Sequence, residues 1–195
     1  HGTQPHIILR NVSVPSVMEH DALLHGRNLD KFIPVLTRAA KALEEAAADF
    51  VVLPCNTLHV HEKIIRNALT IPFVSIIDAA VFTLRKAKIK RVGLLGSRVT
   101  VDENLFKKKS KDTDFVTVHK NLQKQIDRGL DVFVGTQNPL LLREALNESF
   151  SFFSKRNIHD ILLACTDFSG LCPNIPNMRI HDTLDILVHA TVNML

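Results

Sequence analysis

The stretch ADFVVLPCNT, residues 48–57, indicates the fold of this chain. A short apolar run ends in a proline and leads directly to Cys55 and two polar residues. Such a run, bounded by a turn residue, is typical of a strand buried on both faces of a parallel sheet. Much later, HDILLACTD at 159–167 repeats the arrangement and places Cys165 after its strand. We therefore expect two related units, each of which ends a strand in a cysteine.

The repeat continues beyond the cysteines. IPFVSIIDA at 71–79 follows the first copy, and IPNMRIHDT at 175–183 follows the second. Two pseudo-symmetric lobes best explain this repeat, which consists of a strand, a cysteine, a threonine, Ile-Pro, a second strand and an aspartate. We expect the first lobe at 1–90, the second at 91–182, and a C-terminal helix at 183–195 that packs back on the first.

Strands and helices alternate along the whole chain. The apolar segments predict strands at 6–14, 49–54, 72–76, 91–96, 114–118, 160–164 and 178–182. Helical periodicity predicts helices at 28–47, from Val60, from the cap Asp78 to Ala87, from Val101, through most of 119–157, and after Asp182. Strands separated by helices predict an α/β fold, with mainly parallel sheets flanked by helices and an active site in the cleft between the lobes.

Composition excludes several classes of protein. The chain has 195 residues, 46% hydrophobic, 23% charged, and a formal net charge of +4. No apolar run is long enough to span a membrane and no signal segment is visible, so we expect no membrane association. The charge is too low to indicate nucleic-acid binding, and KKKSK at 107–111 is interpreted as a solvated helix end. Three cysteines, an odd number, favour a reducing, cytoplasmic location.

The positions of Cys55 and Cys165 favour acid–base chemistry. Ligands of open parallel sheets bind beyond the carboxyl ends of the strands, so both thiols are expected to flank one cleft. Amide groups at the following helix starts are expected to lower the thiol pKa from its usual value of about 8.5. Two opposed thiols can invert a stereocentre, because one removes a proton from one face and the other returns a proton to the opposite face. Side-chain donors would stabilise the carbanion beside the substrate carboxylate.

The two cysteine motifs resemble those of a known superfamily. PCNTLH at 54–59 and ACTD at 164–167 are similar to the paired motifs of the aspartate/glutamate racemases, and are closest to the aspartate racemase branch. VGLLGSRVT at 92–100 resembles the Gly-Ser/Thr-x-x-Thr loop of that superfamily. The resemblance implies a homodimeric amino-acid racemase that needs neither pyridoxal phosphate nor metal.

The resemblance also implies roles for individual residues. Cys55 and Cys165 would be the two catalytic acid–base groups. The substrate-binding residues would be Asn56, Thr57, Thr166, Ser97 and Thr100.

Two departures from the superfamily pattern affect the substrate. In aspartate racemases, an arginine is thought to hold the side-chain carboxylate, and the aligned position in this sequence is Val17. A second basic residue of the superfamily aligns near Asp131. An acidic side chain is therefore not specified, and a broader or different amino-acid substrate is expected. A glycine-rich substrate loop of the superfamily has no counterpart here, and we expect it to precede residue 1 in the full protein.

Several readings stay open at this level. Cys172 has no repeated context and is interpreted as a packing residue. His59 either satisfies backbone groups at a helix start or tunes Cys55. Asp167 either assists Cys165 or caps the next turn. A metal site or redox dithiol at the cysteines lacks a supporting motif. Another isomerase or a decarboxylase on the same scaffold, or a non-catalytic binding protein for a small carboxylate, are the alternative functions.

Overall fold

The computed structural model describes residues 5–172 and 175–195. The strands are β1 Val51–Val52, β2 Phe73–Val74, β3 Arg91–Gly96, β4 Asp114–Thr117, β5 Asp160–Ala164 and β6 Arg179–Asp182. The α-helices are α1 Ser16–Glu19, α2 Ile33–Glu45, α3 Glu62–Ala68, α4 Ile76–Lys86, α5 Arg98–Asp102, α6 Leu105–Lys109, α7 Lys120–Thr136, α8 Leu140–Ser154 and α9 Thr183–Val192. Short 3-10 turns occupy Leu29–Phe32, Thr57–His61 and Thr166–Phe168, and a π-helical turn occupies His20–Leu24.

The strands form two parallel sheets. β1 pairs with β2, with Val51 opposite Phe73. The second sheet has the order β4-β3-β5-β6, and every neighbouring pair is parallel. α-Helices connect β1 to β2, β3 to β4 and β4 to β5, whereas a segment with one 3-10 turn connects β5 to β6. The predicted α/β class, with parallel sheets flanked by helices, is confirmed.

The larger sheet is covered on both faces. Leu95, Ile161 and Leu163 pack against α7 and α8 on one face. Leu94 and Leu162, their neighbours along the strands, pack against α4 and α9 on the other face. Successive side chains of a strand point to opposite faces, so each central strand contributes to both cores. This explains why β3 and β5 are almost continuously apolar.

The smaller sheet has its own core. Val51 and Phe73 pack with Ala40 of α2 and Ile65 of α3. The C-terminal helix α9 packs on α4 and also contacts β2 and β5. It therefore touches elements on both sides of residue 90, and the lobe boundary near that residue stays a prediction.

The predicted strand at 6–14 is wrong. Residues 5–15 have no regular secondary structure, and Ile7 and Leu9 are 77% and 83% exposed. An apolar segment forms a strand only where a neighbouring strand pairs with it and a core buries it. In the described part of the chain, neither condition holds for this segment.

The predicted cap of α4 is also wrong. The cap is Ser75, whose hydroxyl accepts a hydrogen bond from the Asp78 amide. Asp78 lies within the first turn, and its carboxylate instead binds Arg66 at 2.7 Å and Lys109 at 2.9 Å. Asp182 does act as the predicted cap, because its carboxylate accepts from the Leu184 amide at 2.8 Å.

The helices of the described residues are short or amphipathic. Within 5–172 and 175–195, no helix combines the length and apolar character needed to cross a bilayer.

Candidate active site

Three strand ends meet at one cavity. Cys55 follows β1, Ser97 follows β3 and Cys165 follows β5, and all three line a cavity of about 390 Å³. β3 and β5 are neighbours in the larger sheet, so Ser97 and Cys165 lie at the same carboxyl edge. β1 belongs to the smaller sheet, and its end meets that edge where Thr57 contacts Ser97. The volume lies in the range of ordinary small-molecule sites.

The cavity has a polar side and a second wall from two helical segments. The polar side holds the strand-end residues Cys55, Asn56, Thr57, Ser97, Cys165, Thr166 and Asp167. The second wall comes from α1 with the adjoining π-helical turn, and from α7, through Ser16, Glu19, His20, Leu130, Val134 and Gly135.

Three hydroxyl groups connect the first cysteine loop to α5. Thr57 Oγ1 lies 2.9 Å from Ser97 Oγ, which lies 3.1 Å from Thr100 Oγ1. Ser97 is also the N-cap of α5 and accepts from the Thr100 amide. Thr100 is fully buried and does not line the cavity, so it reaches a ligand only through Ser97.

Asn56 presents a free acceptor. Its Nδ2 donates to Thr183 Oγ1 at 2.9 Å, and the Thr183 hydroxyl donates to the Leu163 carbonyl at 2.8 Å. Because the hydroxyl proton is already used, the Asn56 atom facing Thr183 must be the donor, which fixes the orientation of the amide. Asn56 Oδ1 is then left buried with no hydrogen-bond partner in the described structure. An unsatisfied buried acceptor is costly, and a bound ligand can satisfy it.

His59 organises the backbone around Cys55. Its Nδ1 lies 2.7 Å from the Cys55 carbonyl, and its Nε2 lies 3.3 Å from the Ile76 amide, which can only donate. The ring proton therefore sits on Nδ1, which donates to the carbonyl. Burial lowers the pKa of His59 and favours this neutral form. Both ring nitrogens bind backbone groups, so His59 contacts Cys55 through its carbonyl.

Both thiols are held in their protonated form at neutral pH. Burial raises the pKa of Cys55 to about 11, although the Leu58 and Thr57 amides act in the opposite direction. The pKa of Cys165 is also raised well above its usual value, first by burial and then by the charge of Asp167. The expectation that helix-start amides lower these pKa values is wrong, because removal of the sulfur from water outweighs them.

The thiols and their acidic neighbours are electrostatically coupled. Cys165 Sγ donates to Asp167 Oδ2 at 3.6 Å. The charge of Asp167 raises the pKa of both thiols, and the charge of Cys55 raises the pKa of Cys165. A thiolate at one position therefore favours a protonated thiol at the other. One basic and one acidic sulfur is the pairing that proton transfer across a carbon requires.

The raised pKa of Cys55 predicts the pH dependence of its reaction with an alkylating reagent. Only the thiolate is nucleophilic, so alkylation of Cys55 by iodoacetamide should keep rising from pH 9 to about 11. Glutathione, treated in parallel, should level off near its ordinary thiol pKa of about 8.5. The measurement is alkylation rate against pH, resolved for each cysteine by peptide mass spectrometry. A Cys55 rate that levels off below pH 8 would contradict the raised pKa.

Among the lining residues that the sequence patterns missed, two have ionisable side chains. Glu19 and His20 lie on α1 and the turn that follows, where the sequence has no recognisable motif. His20 Nε2 contacts a carboxylate oxygen of Asp131 in α7, near which a basic residue was expected. Val17 is 73% exposed and does not line the cavity.

The remaining candidates lie apart from the cavity. Cys172 does not line it, and its sulfur lies 3.8 Å from the Phe168 carbonyl. Cys55, Cys165 and Cys172 are all free thiols. Within the described ranges, no three His, Cys, Asp or Glu side chains are grouped so that they could hold a metal ion.

Comparisons with known proteins show the family of the chain. Residues 1–191 match the family model described as Asp/Glu/Hydantoin racemase. A relative is the broad specificity amino-acid racemase RacX of Bacillus subtilis (strain 168), to which the chain is 26% identical. The alignment covers 84% of this chain and 72% of that relative.

Solved structures share the fold. An aspartate racemase from Picrophilus torridus superposes with a TM-score of 0.75 at 19% identity, covering 89% of this chain and 73% of that one. An aspartate racemase homologue from Pyrococcus horikoshii OT3 superposes with a TM-score of 0.71 at 22% identity, covering 89% of this chain and 79% of that one.

The resemblance based on the two cysteine motifs is thus confirmed. The family model covers almost the whole chain, so the assignment does not depend on short motifs alone. The chain belongs to the Asp/Glu/hydantoin racemase family, and its predicted enzyme class, an isomerase of the amino-acid racemase type, is confirmed.

Proposed function

We propose that this protein racemises free amino acids without a cofactor, using Cys55 and Cys165 as opposed acid–base groups. The observation that carries the proposal is that two thiols from separate strand ends line one cavity of about 390 Å³. A structural role for a single cysteine needs no such arrangement. Two thiols at one ligand-sized cavity are what a two-base reaction needs.

The proposed reaction moves one proton off the substrate and another onto it. One thiol first gives up its proton to solvent. The resulting thiolate removes the Cα proton, and the thiol of the other cysteine donates its proton to the opposite face of the carbanion. After product release, the two sulfurs have exchanged protonation states, so the enzyme works in both directions. A raised pKa makes each thiolate a stronger base than an ordinary one, which favours removal of a weakly acidic proton.

The surrounding groups match a zwitterionic substrate. Thr57 and Ser97 are hydrogen-bonded to each other, so this pair of hydroxyls supplies one free donor for the α-carboxylate, on which charge develops as the carbanion forms. Asn56 Oδ1 supplies a vacant acceptor for the α-ammonium group. Thr166 lies next to Cys165 and offers a further hydroxyl. The substrate can therefore be held by both of its charged groups while Cα remains between the sulfurs.

Two further features belong to this proposal. A homodimer and a cytoplasmic location are expected of the enzyme, and the free state of all three cysteines supports a reducing compartment. Both remain predictions, to be tested by sedimentation and by localisation of a tagged chain.

Incubation of single enantiomers in heavy water tests the reaction itself. A panel of D- and L-amino acids should lose optical purity, and deuterium from the solvent should appear at Cα in both enantiomers. Chiral chromatography and mass spectrometry measure the two quantities together.

The alternatives give different results in the same experiment. Carbon dioxide release without inversion would indicate a decarboxylase, and tight binding without exchange would indicate a binding protein. Either of these results would overturn the racemase proposal.

A further inference from the structure

We propose that the substrate carries a cationic side chain, and that Glu19 binds it. This inference rests on the racemase function proposed above and specifies its substrate class. Glu19 lies on α1, in the wall formed by helical segments rather than among the strand-end residues that include both thiols. It is exposed, so the cation would meet it at the open side of the cavity.

The charges of the cavity lining favour a cation. Among the described residues that line the cavity, the carboxylates are Glu19 and Asp167, and no arginine or lysine is present. His20 is the one basic side chain among these lining residues, and its ring already contacts Asp131. The formal charge of this lining is therefore negative at neutral pH, which attracts cations and repels anions.

The α-amino and α-carboxyl groups of the substrate have other partners in the cavity, so neither needs Glu19. The hydrogen-bonded hydroxyl pair of Thr57 and Ser97 provides one donor for the carboxylate, and buried Asn56, only 2% exposed, provides an unpartnered acceptor for the ammonium group. Asp167 is already engaged by the thiol of Cys165. Glu19 is thus the remaining carboxylate at the cavity, available to a second positive charge on the ligand.

The wall next to Glu19 suits a long aliphatic stem. Leu130 and Val134 of α7 are apolar residues that line the same cavity, and α7 contacts the π-helical turn that directly follows Glu19. At Gly135, a Cβ placed on the backbone would meet no atom within 4 Å, so the space beside it is open. Lysine and arginine combine an apolar stem with a charged end, and their stems pack well on apolar surface.

An acidic side chain fits these surroundings poorly. Arg27 is bound to Asp21 and lines no part of the cavity. A side-chain carboxylate would approach Glu19 or Asp167 with no described arginine or lysine to compensate it. Like charges a few ångströms apart in a partly buried site repel strongly.

Substrate competition between a charged amino acid and a neutral one tests the proposal. For the native enzyme, kcat/KM for L-lysine should exceed that for L-glutamate by about tenfold or more. In Glu19→Gln, the ratio of kcat/KM for lysine to that for norleucine should fall about two- to fivefold, the usual effect of an exposed ion pair, because norleucine has a similar stem without the charge. Taking the ratio removes any effect of the substitution on the thiols, which both substrates share.

A matched variant separates this role from general surface charge. Glu45→Gln removes an exposed carboxylate at the end of α2, outside the cavity, and should leave the ratio unchanged. The proposal is overturned if glutamate is the better substrate, or if the two variants give the same ratio.

The outcome is independent of whether the racemase proposal survives. If amino acids are racemised but lysine is not preferred, the substrate class is wrong and the reaction stands. If no amino acid is racemised, calorimetric titration of the native protein with lysine and norleucine still decides the point. Tighter binding of lysine, lost in Glu19→Gln, supports the cation site, and equal binding overturns it.

Discussion

Replacing Cys55 or Cys165 with serine should abolish racemisation, with a loss of about a thousandfold or more in kcat/KM for both directions. Each general acid or base contributes about 10² to 10⁴ in rate, and a serine hydroxyl is a far weaker acid than a thiol. Both sulfurs line the same cavity, so neither has a substitute at its own position. The measurement is the initial rate of enantiomer conversion by chiral chromatography.

Isotope exchange should distinguish the two variants from each other. With one base left, the protein should exchange the Cα proton of one enantiomer with solvent and return it to the same face. Cys55→Ser and Cys165→Ser should therefore label opposite enantiomers in heavy water. Because each thiol serves one face of the substrate, this complementarity is a specific consequence of the two-thiol arrangement.

Cys172→Ser provides the matched control. Its sulfur lies outside the cavity, so conversion and exchange should both remain at the native level. Full racemisation by Cys55→Ser or Cys165→Ser would contradict the two-thiol assignment. Exchange of the same enantiomer by both variants would contradict the opposed geometry.

Gly129→Ala should destabilise the protein by about 2–3 kcal/mol, the usual size of an overpacking penalty. A Cβ at this position would lie 2.7 Å from Leu142 Cα and 2.8 Å from its amide nitrogen. These are backbone atoms of α8, so they cannot move aside as a flexible side chain would. The close contact between α7 and α8, which cover one face of the larger sheet, should therefore be forced open.

Chemical denaturation measures this loss directly. The free energy of unfolding should fall, and the melting temperature should drop by roughly 4–12 °C for a chain of this size. Gly135→Ala, in the same helix, is the control, because its added Cβ meets nothing within 4 Å. It should be neutral or should stabilise the helix by about 0.5–1 kcal/mol. Equal changes in the free energy of unfolding for the two substitutions would contradict the prediction that the close contact at Gly129 excludes a Cβ.

The central strands could be predicted from sequence because they are buried on both faces. β3 and β5 begin and end where their apolar runs do, at Arg91–Gly96 and Asp160–Ala164. Residues 6–14 have a similar composition but form no strand among the described residues. An apolar composition shows that a segment can form a buried strand. Whether a neighbouring strand is available to pair with it depends on the tertiary structure.

The candidate site was predictable where it is local in sequence. Cys55 with Asn56 and Thr57, and Cys165 with Asp167, were identified because each group follows one strand. Glu19 and His20 were missed because α1 reaches the cavity only through tertiary packing. The direction of the thiol pKa shifts was also missed, since it depends on burial, which the local amide groups do not reveal.

A pair of hydrogen bonds links the C-terminal helix to both cysteine-bearing segments. Asn56, which follows the first thiol, is joined through Thr183 to the Leu163 carbonyl, two residues before the second thiol. Thr183 is the first residue of the C-terminal helix and is fully buried. Any displacement of that helix would therefore be transmitted to both cysteine loops at once. The spacing of the two sulfurs is thus coupled to the anchoring of the end of the chain, remote from both in sequence.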